Sequence, residues 1–183
     1  MSQSIYEIPV KKISGEDASL GEYKGKVVLV VNVASKCGLT KQYEGLEKLY
    51  QDFGAKGLVV AGFPANDFKE QEPGTDAEIQ TFCTANFGVK FPLYSKVTVV
   101  GPEKHPLYKA LIAAQPTAIS VNEPSWREKL KGYGIEGNPA PELLWNFEKF
   151  LVSKNGEVVA RFAPDTTPDS PELIAAIEAE LAK

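Results

Sequence analysis

Nine residues, KVVLVVNVA at Lys26–Ala34, constrain this 183-residue chain more than any other segment. They are β-branched and apolar at nearly every position, so neither face of the strand they form can be left in water. Such a strand belongs at the centre of a sheet covered on both sides. A helical pattern follows, with Tyr43, Leu46, Leu49, Tyr50 and Phe53 at spacings of three and four, Thr40 as N-cap and Gly54 or Gly57 as the stop. A second buried run, LVVAGF at Leu58–Phe63, closes a βαβ unit, which calls for a parallel pair and a right-handed crossover.

The later elements are marked as clearly. Thr75-Asp-Ala-Glu matches a capping box, and Ile79, Phe82, Cys83 and Phe87 line one apolar face of the helix it opens. A short helix follows Pro106 through Leu107, Leu111 and Ile112. After Trp145, two strand-like runs flank Asn155-Gly156, a dipeptide suited to a type I′ hairpin because both central positions need positive φ. The last helix starts near Ser170-Pro171, with proline at its preferred first position, and buries Ile174, Ile177 and Leu181. This order predicts a single α/β domain over residues 1–183. Its expected form is a thioredoxin-like fold: a central mixed sheet flanked by helices, with an N-terminal extension and an insertion before the C-terminal hairpin. Residues 116–141 hold four prolines, three glycines and an isolated Trp126, and read as a long surface excursion with one short helix. Loops of that length often serve function or form interfaces.

Composition narrows the function. The net charge is −4, and Arg127 and Arg161 are the two arginines among 20 basic residues, so nothing suggests the clustered basic face of a nucleic-acid binder. The N-terminus lacks the basic and apolar regions of a signal peptide, and the longest apolar run, Val27–Val31, is far below the roughly 20 residues of a membrane span. Two cysteines are too few for a disulfide scaffold. The expectation is a cytoplasmic protein without a membrane span or nucleic-acid partner, in which a cysteine pair is catalytic or sensing.

Cys37 falls between the end of a buried strand and the start of a helix, where open α/β sheets bind ligands. A helix N-terminus there supplies partial positive charge and free N–H groups that favour a thiolate, and Lys36 is a cationic neighbour in sequence. Position alone leaves Cys37 open between a reactive thiol and a small buried hydrophobe. There is no C-x-x-C for thiol–disulfide exchange. The lone His105, before Pro106, reads as a capping residue rather than the partner of a hydrolytic cysteine, and two cysteines with one histidine make a poor zinc set. Peroxide reduction remains, since it asks for a thiolate and hydrogen-bond donors.

Four motifs, Asn32-Val-Ala-Ser-Lys-Cys37-Gly, Gly62-Phe-Pro-Ala-Asn66, Gln71-Glu-Pro-Gly74 and Trp145-Asn-Phe-Glu-Lys-Phe150, resemble those of the glutathione peroxidase family in order and spacing. The resemblance runs from about Tyr6 to the C-terminal helix. It implies a peroxidase that reduces hydrogen peroxide and organic hydroperoxides, with Cys37 as the peroxidatic residue and Gln71, Trp145 and Asn146 completing a catalytic tetrad. Cys83 matches the resolving cysteine of the thioredoxin-dependent branch. The implied cycle forms a sulfenic acid on Cys37, then a Cys37–Cys83 disulfide, which thioredoxin reduces. No bound cofactor or metal is implied, and glutathione is the alternative reducing co-substrate. A peroxide sensor relaying oxidation to a partner uses the same sulfur chemistry.

Departures from the family pattern are Ala65 and Asp67, where many relatives carry cysteine and glutamine; Asp67 reads as a carboxylate orienting local backbone. The 116–141 segment resembles in length the oligomerisation loop of some members. Cys83 on an apolar helix face should be buried, whereas a disulfide needs Cα atoms within about 7 Å. The cycle therefore implies partial unwinding of the Thr75–Phe87 helix.

Overall fold

The structure is a computed structural model and describes residues 4–183. A small antiparallel pair, β1 (Val10–Lys11) and β2 (Asp17–Ala18), forms the N-terminal extension. β3 (Val27–Val33) is buried at every position, as its unbroken apolar run requires. α1 (Gln42–Phe53) leads to β4 (Leu58–Pro64), which lies parallel to β3 in register from Val27↔Leu58 to Val33↔Pro64. α2 (Asp76–Phe87), α3 (Pro106–Ala114) and α4 (Trp126–Gly132) follow. The hairpin β5 (Lys149–Val152) and β6 (Val158–Phe162) and then α5 (Pro171–Leu181) complete the order. β5 pairs antiparallel with β3, so the mixed sheet runs β4-β3-β5-β6 and places β3 inside it.

Local chemistry sets most of these boundaries. The Thr75 hydroxyl accepts from Glu78 N (3.2 Å) while the Glu78 carboxylate accepts from Thr75 N (3.1 Å), a complete capping box. His105 is a cap, as its position predicts, its Nδ1 accepting from Leu107 N at 3.0 Å. α1 buries Tyr43, Leu46 and Leu49. α5 is rotated from the expected face: Leu173, Ile177 and Glu180, at spacings of four and three, are its buried residues, while Ile174 and Leu181 are partly buried.

The hairpin turn also differs from expectation. Gly156 takes left-handed backbone (φ 87°), but Asn155 does not, so the turn is not type I′. Gly156 N donates to Ser153 O (3.0 Å) and Ser153 N to Glu157 O (2.8 Å), enclosing a three-residue loop whose third residue is the glycine. Tyr6 accounts for the glycine a second time. A Cβ at Gly156 would meet its ring at 2.8 Å, and the Tyr6 hydroxyl donates to Lys154 O at 3.1 Å.

The excursion over residues 116–141 contains α4 and is fastened to the sheet edge. Ile119 N donates to Arg161 O (2.7 Å) and Ala163 N to Ile119 O (2.9 Å). Buried Arg161 pairs with buried Glu148 and donates to Gln115 O, Pro141 O and Glu142 O at 3.0–3.2 Å. One guanidinium thus gathers both roots of the excursion, a use of its rigid fork that lysine cannot copy.

Candidate active site

Cys37 sits on a tight turn just beyond the carboxyl end of β3, 9% exposed. Thr40 holds that turn rather than capping the helix. α1 starts at Gln42, with Lys41 at the N-cap position and no side-chain cap. The Thr40 hydroxyl instead accepts from Cys37 N (2.9 Å) and donates to Ala34 O (2.8 Å), closing the loop on itself. The N–H groups of Gln42, Tyr43 and Glu44 are taken by Leu39, Thr40 and Lys41 carbonyls, so they do not face the sulfur. Its direct donor is Leu39 N, 3.3 Å from Sγ. Lys36 is exposed, and its charge acts on Glu72 and Glu78.

Three segments far apart in sequence meet beside this turn. Lys36 N donates to Gln71 O (2.9 Å), and Asn146 Nδ2 donates to Gln71 Oε1 (3.0 Å). The second bond fixes the Gln71 amide with its oxygen toward Asn146, leaving the Nε2 donors for another acceptor. Trp145 is 7% exposed and packs its ring on Phe68, centroids 5.4 Å apart. A cleft of about 390 Å³ opens at Trp145, walled by Phe68 and Lys69 and, across it, by Ile135 and Glu136 of the excursion.

Asn32 places Trp145 and Asn146, a role the sequence reading missed. Its Nδ2 donates to Trp145 O (3.1 Å), its Oδ1 accepts from Glu148 N (3.1 Å), and its carbonyl accepts from Phe147 N (2.6 Å). The available signal is a fully buried amide in a run of valines, which has to find partners. Backbone strain gathers here too. Among the described residues, the non-glycine positions with positive φ are Lys69 (55°), Glu70 (51°) and Phe147 (67°), each within two residues of Gln71 or Asn146 in the chain. Such conformations persist where surrounding structure over-determines them. Asp67 holds distant rather than local backbone, accepting from Val99 N, 32 residues on, at 2.9 Å, and its burial raises its carboxyl above the ordinary range.

Cys83 lies on α2, outside this hydrogen-bond network. Both thiols are free and both are buried, Cys83 completely. Ile79 and Cys83 are the buried residues of α2, with Phe82 and Phe87 only half-buried, so a narrow stripe holds the helix in place. Burial pushes the Cys83 thiol up to about 11, a shift the Tyr43 hydroxyl opposes and the Glu72 charge adds to.

A thiol on a turn after the central strand of a β4-β3-β5-β6 mixed sheet defines a thioredoxin-like protein. The backbone agrees, superposing on a thiol:disulfide interchange protein of the thioredoxin family from Chlorobium tepidum with a TM-score of 0.62. That match covers 99% of this chain and 97% of the other at 13% identity, a likeness of fold alone. Sequence takes the assignment further, since residues 5–112 match the family model described as glutathione peroxidase. The Thioredoxin/glutathione peroxidase BtuE of Escherichia coli (strain K12) is 48% identical over 183 residues, the full length of both chains. The crystal structure of Trgpx in apo form matches with 33% identity and a TM-score of 0.71, covering 99% of this chain and 97% of that one. The chain belongs to the glutathione peroxidase family and is a peroxidase, an oxidoreductase acting on peroxide. No helix among the described residues is long and apolar enough to cross a membrane.

Proposed function

We propose that this protein reduces hydrogen peroxide and organic hydroperoxides through Cys37, with Cys83 as resolving thiol and thioredoxin as reductant. The observation that carries the reading is the Asn146–Gln71–Lys36 chain of hydrogen bonds, which draws donors from two distant loops to the turn holding Cys37. The Cys37 thiolate attacks one peroxide oxygen, the O–O bond breaks, and the departing oxygen leaves as water or alcohol with one proton. Leu39 N–H, and Gln71 Nε2 oriented by Asn146, lower the energy of the negative charge during transfer, and Trp145 borders the cleft for the peroxide's substituent. Cys37 becomes a sulfenic acid, which condenses with Cys83 to a disulfide and water.

Thioredoxin is favoured as reductant because the chain holds a second free cysteine, Cys83, which the cycle uses as resolving thiol to form an intramolecular disulfide. The Escherichia coli relative carries both thioredoxin and glutathione in its name, so the assay includes both. Steady-state peroxide consumption is measured with each reductant on wild type, Cys37→Ser and Cys83→Ser. The reading expects Cys37→Ser to be inactive, and Cys83→Ser to consume about one peroxide per chain without thioredoxin-driven turnover. Full thioredoxin turnover by Cys83→Ser refutes the two-cysteine cycle.

A further inference from the structure

Lys149 presents its amine to neutral oxygens in the middle of the fold. It opens β5 opposite Val31 of β3 and is fully buried. Lysine is almost never buried to that extent unless its charge is paired. The two carboxylates whose charge reaches it, Glu148 and Asp165, are paired with Arg161 and Lys129 instead. Its amine donates to Gln42 Oε1 at 2.6 Å and to Pro164 O at 2.9 Å. An apolar side chain of similar length would fill the space without desolvating an amine, so these two hydrogen bonds are what lysine adds there.

The Gln42 amide closes a triangle. Its Nε2 donates to Pro164 O at 2.8 Å, so that carbonyl takes two donors on its two lone pairs. The triangle joins β5 through Lys149, the first turn of α1 through Gln42, and the segment after β6 through Pro164. The Pro164 corner is itself held. Asp165 pairs with Lys129 of α4 at 3.0 Å, its carbonyl accepts from Asn122 Nδ2 at 2.8 Å, and Ala163 N donates to Ile119 O at 2.9 Å. From Gln42 the hydrogen bonds continue to the sulfur. Gln42 N donates to Leu39 O at 2.9 Å, and Leu39 N is the donor 3.3 Å from Cys37 Sγ. Leu39 is thus fastened to a helix start that the triangle fixes against the sheet.

We propose that Lys149 and Gln42 are positioning residues for the peroxide step, fixing the start of α1 so that the Leu39 N–H stays aimed at the Cys37 sulfur. The inference rests on Cys37 as the peroxidatic thiol. Neither residue touches the peroxide. An N–H held at the sulfur stabilises the thiolate and the charge that moves during attack, and a small misplacement of such a group is costly in rate. Without the amine, Gln42 Oε1 is left buried and unpaired, and its side chain no longer has a fixed place. The turn from Cys37 to Thr40 then keeps the Thr40 hydroxyl bonds but loses its rigid stop at the helix.

The test reads the two chemical steps separately in Lys149→Met, Gln42→Leu and Gln42→Glu. Stopped-flow mixing with one equivalent of hydrogen peroxide gives the rate of Cys37 oxidation, and disulfide formation is then followed from the sulfenic acid. Lys149→Met and Gln42→Leu should each oxidise about tenfold more slowly. Disulfide formation should keep its rate, because it depends on Cys83 and α2 rather than on Leu39. The double variant should be no slower than either single one, since both changes break the same link. Gln42→Glu keeps an oxygen for Lys149 and should stay within about twofold of wild type. Hydrogen exchange at the Leu39 amide should quicken in the two slow variants while the β3 amides keep their protection. Oxidation at the wild-type rate, equal slowing of both steps, or unchanged Leu39 exchange overturns the inference and leaves the chemistry of Cys37 intact. Wild type forming no sulfenic acid on Cys37 refutes that residue as peroxidatic, and the inference falls with it. Should Lys149→Met lose the native circular dichroism spectrum, Gln42→Leu against Gln42→Glu decides: a gap of about tenfold in the peroxide step alone supports the role, and no gap overturns it.

Discussion

Replacing Asn32 by alanine removes two hydrogen bonds at a place water does not reach. Asn32 is fully buried, and its amide serves Trp145 O and Glu148 N, each at 3.1 Å. In the variant that carbonyl and that N–H lose their partner, at about 1–3 kcal/mol for each buried group left unsatisfied. The bond from Phe147 N to Asn32 O is backbone and survives, so the loop keeps one tether. The loss should then fall in the lower half of the summed range, about 3 kcal/mol. A domain of ordinary stability, about 5–15 kcal/mol, stays folded after such a loss. The rate should suffer as well, because Trp145 and Asn146 ride on the freed loop, and a shift near 1 Å costs up to about 100-fold. Urea unfolding and stopped-flow peroxide reduction measure the two effects, with an expected fall in kcat/KM of about 10–100-fold. Asn32→Asp keeps an acceptor for Glu148 N and should lie between. An alanine variant that loses under about 1 kcal/mol and keeps the wild-type rate would falsify the assignment of Asn32 as the anchor of this loop.

Two further predictions concern the interior under the site. Thr40→Val keeps the shape but loses the acceptor for Cys37 N and the donor to Ala34 O, and should slow peroxide reduction about tenfold, for about 1.4 kcal/mol of lost positioning; an unchanged single-turnover rate shows the turn holds without it. Lys149 is fully buried, its amine donating to Gln42 Oε1 (2.6 Å) and Pro164 O (2.9 Å), and burial lowers its pKa from 10.5 to about 7 against the pull of Glu148 and Asp165. Between those values the unfolded chain binds the extra proton, so stability from this group rises with pH from about 7 and levels off past the unfolded value, at up to about 1.4 kcal/mol per pH unit. Urea titrations at several pH values should show that slope flattened in Lys149→Met; parallel slopes for the two proteins mean the amine stays charged in the fold.

Short-range chemistry was legible along the chain. The valine run of β3 needs a covered sheet, Thr75 and Glu78 are close enough in sequence to cap their own helix, and His105 and Pro106 mark another start. Where a longer-range partner intervened, the local reading slipped. Asn155-Gly156 has a type I′ composition, yet the turn adopts the three-residue form, with Tyr6 from the opposite end of the chain packed against Gly156. Thr40 slipped for a local reason instead: it has the chemistry of a helix cap, but Cys37 N and Ala34 O, three and six residues back, take its hydroxyl.

The candidate site divides in the same way. Cys37, Gln71, Trp145 and Asn146 stand out as candidates through motifs that resemble those of the glutathione peroxidase family, and Cys83 through the position of that family's resolving cysteine. The register of β5 against β3 decides what they can do together, since it brings the Trp145–Glu148 loop to Asn32 and so lets Asn146 orient the Gln71 amide. Hydrogen bonds across 75 or 113 residues leave no periodicity behind. They exist only after the sheet has closed, when burial removes water as a competing partner and leaves each polar group the neighbours the fold supplies.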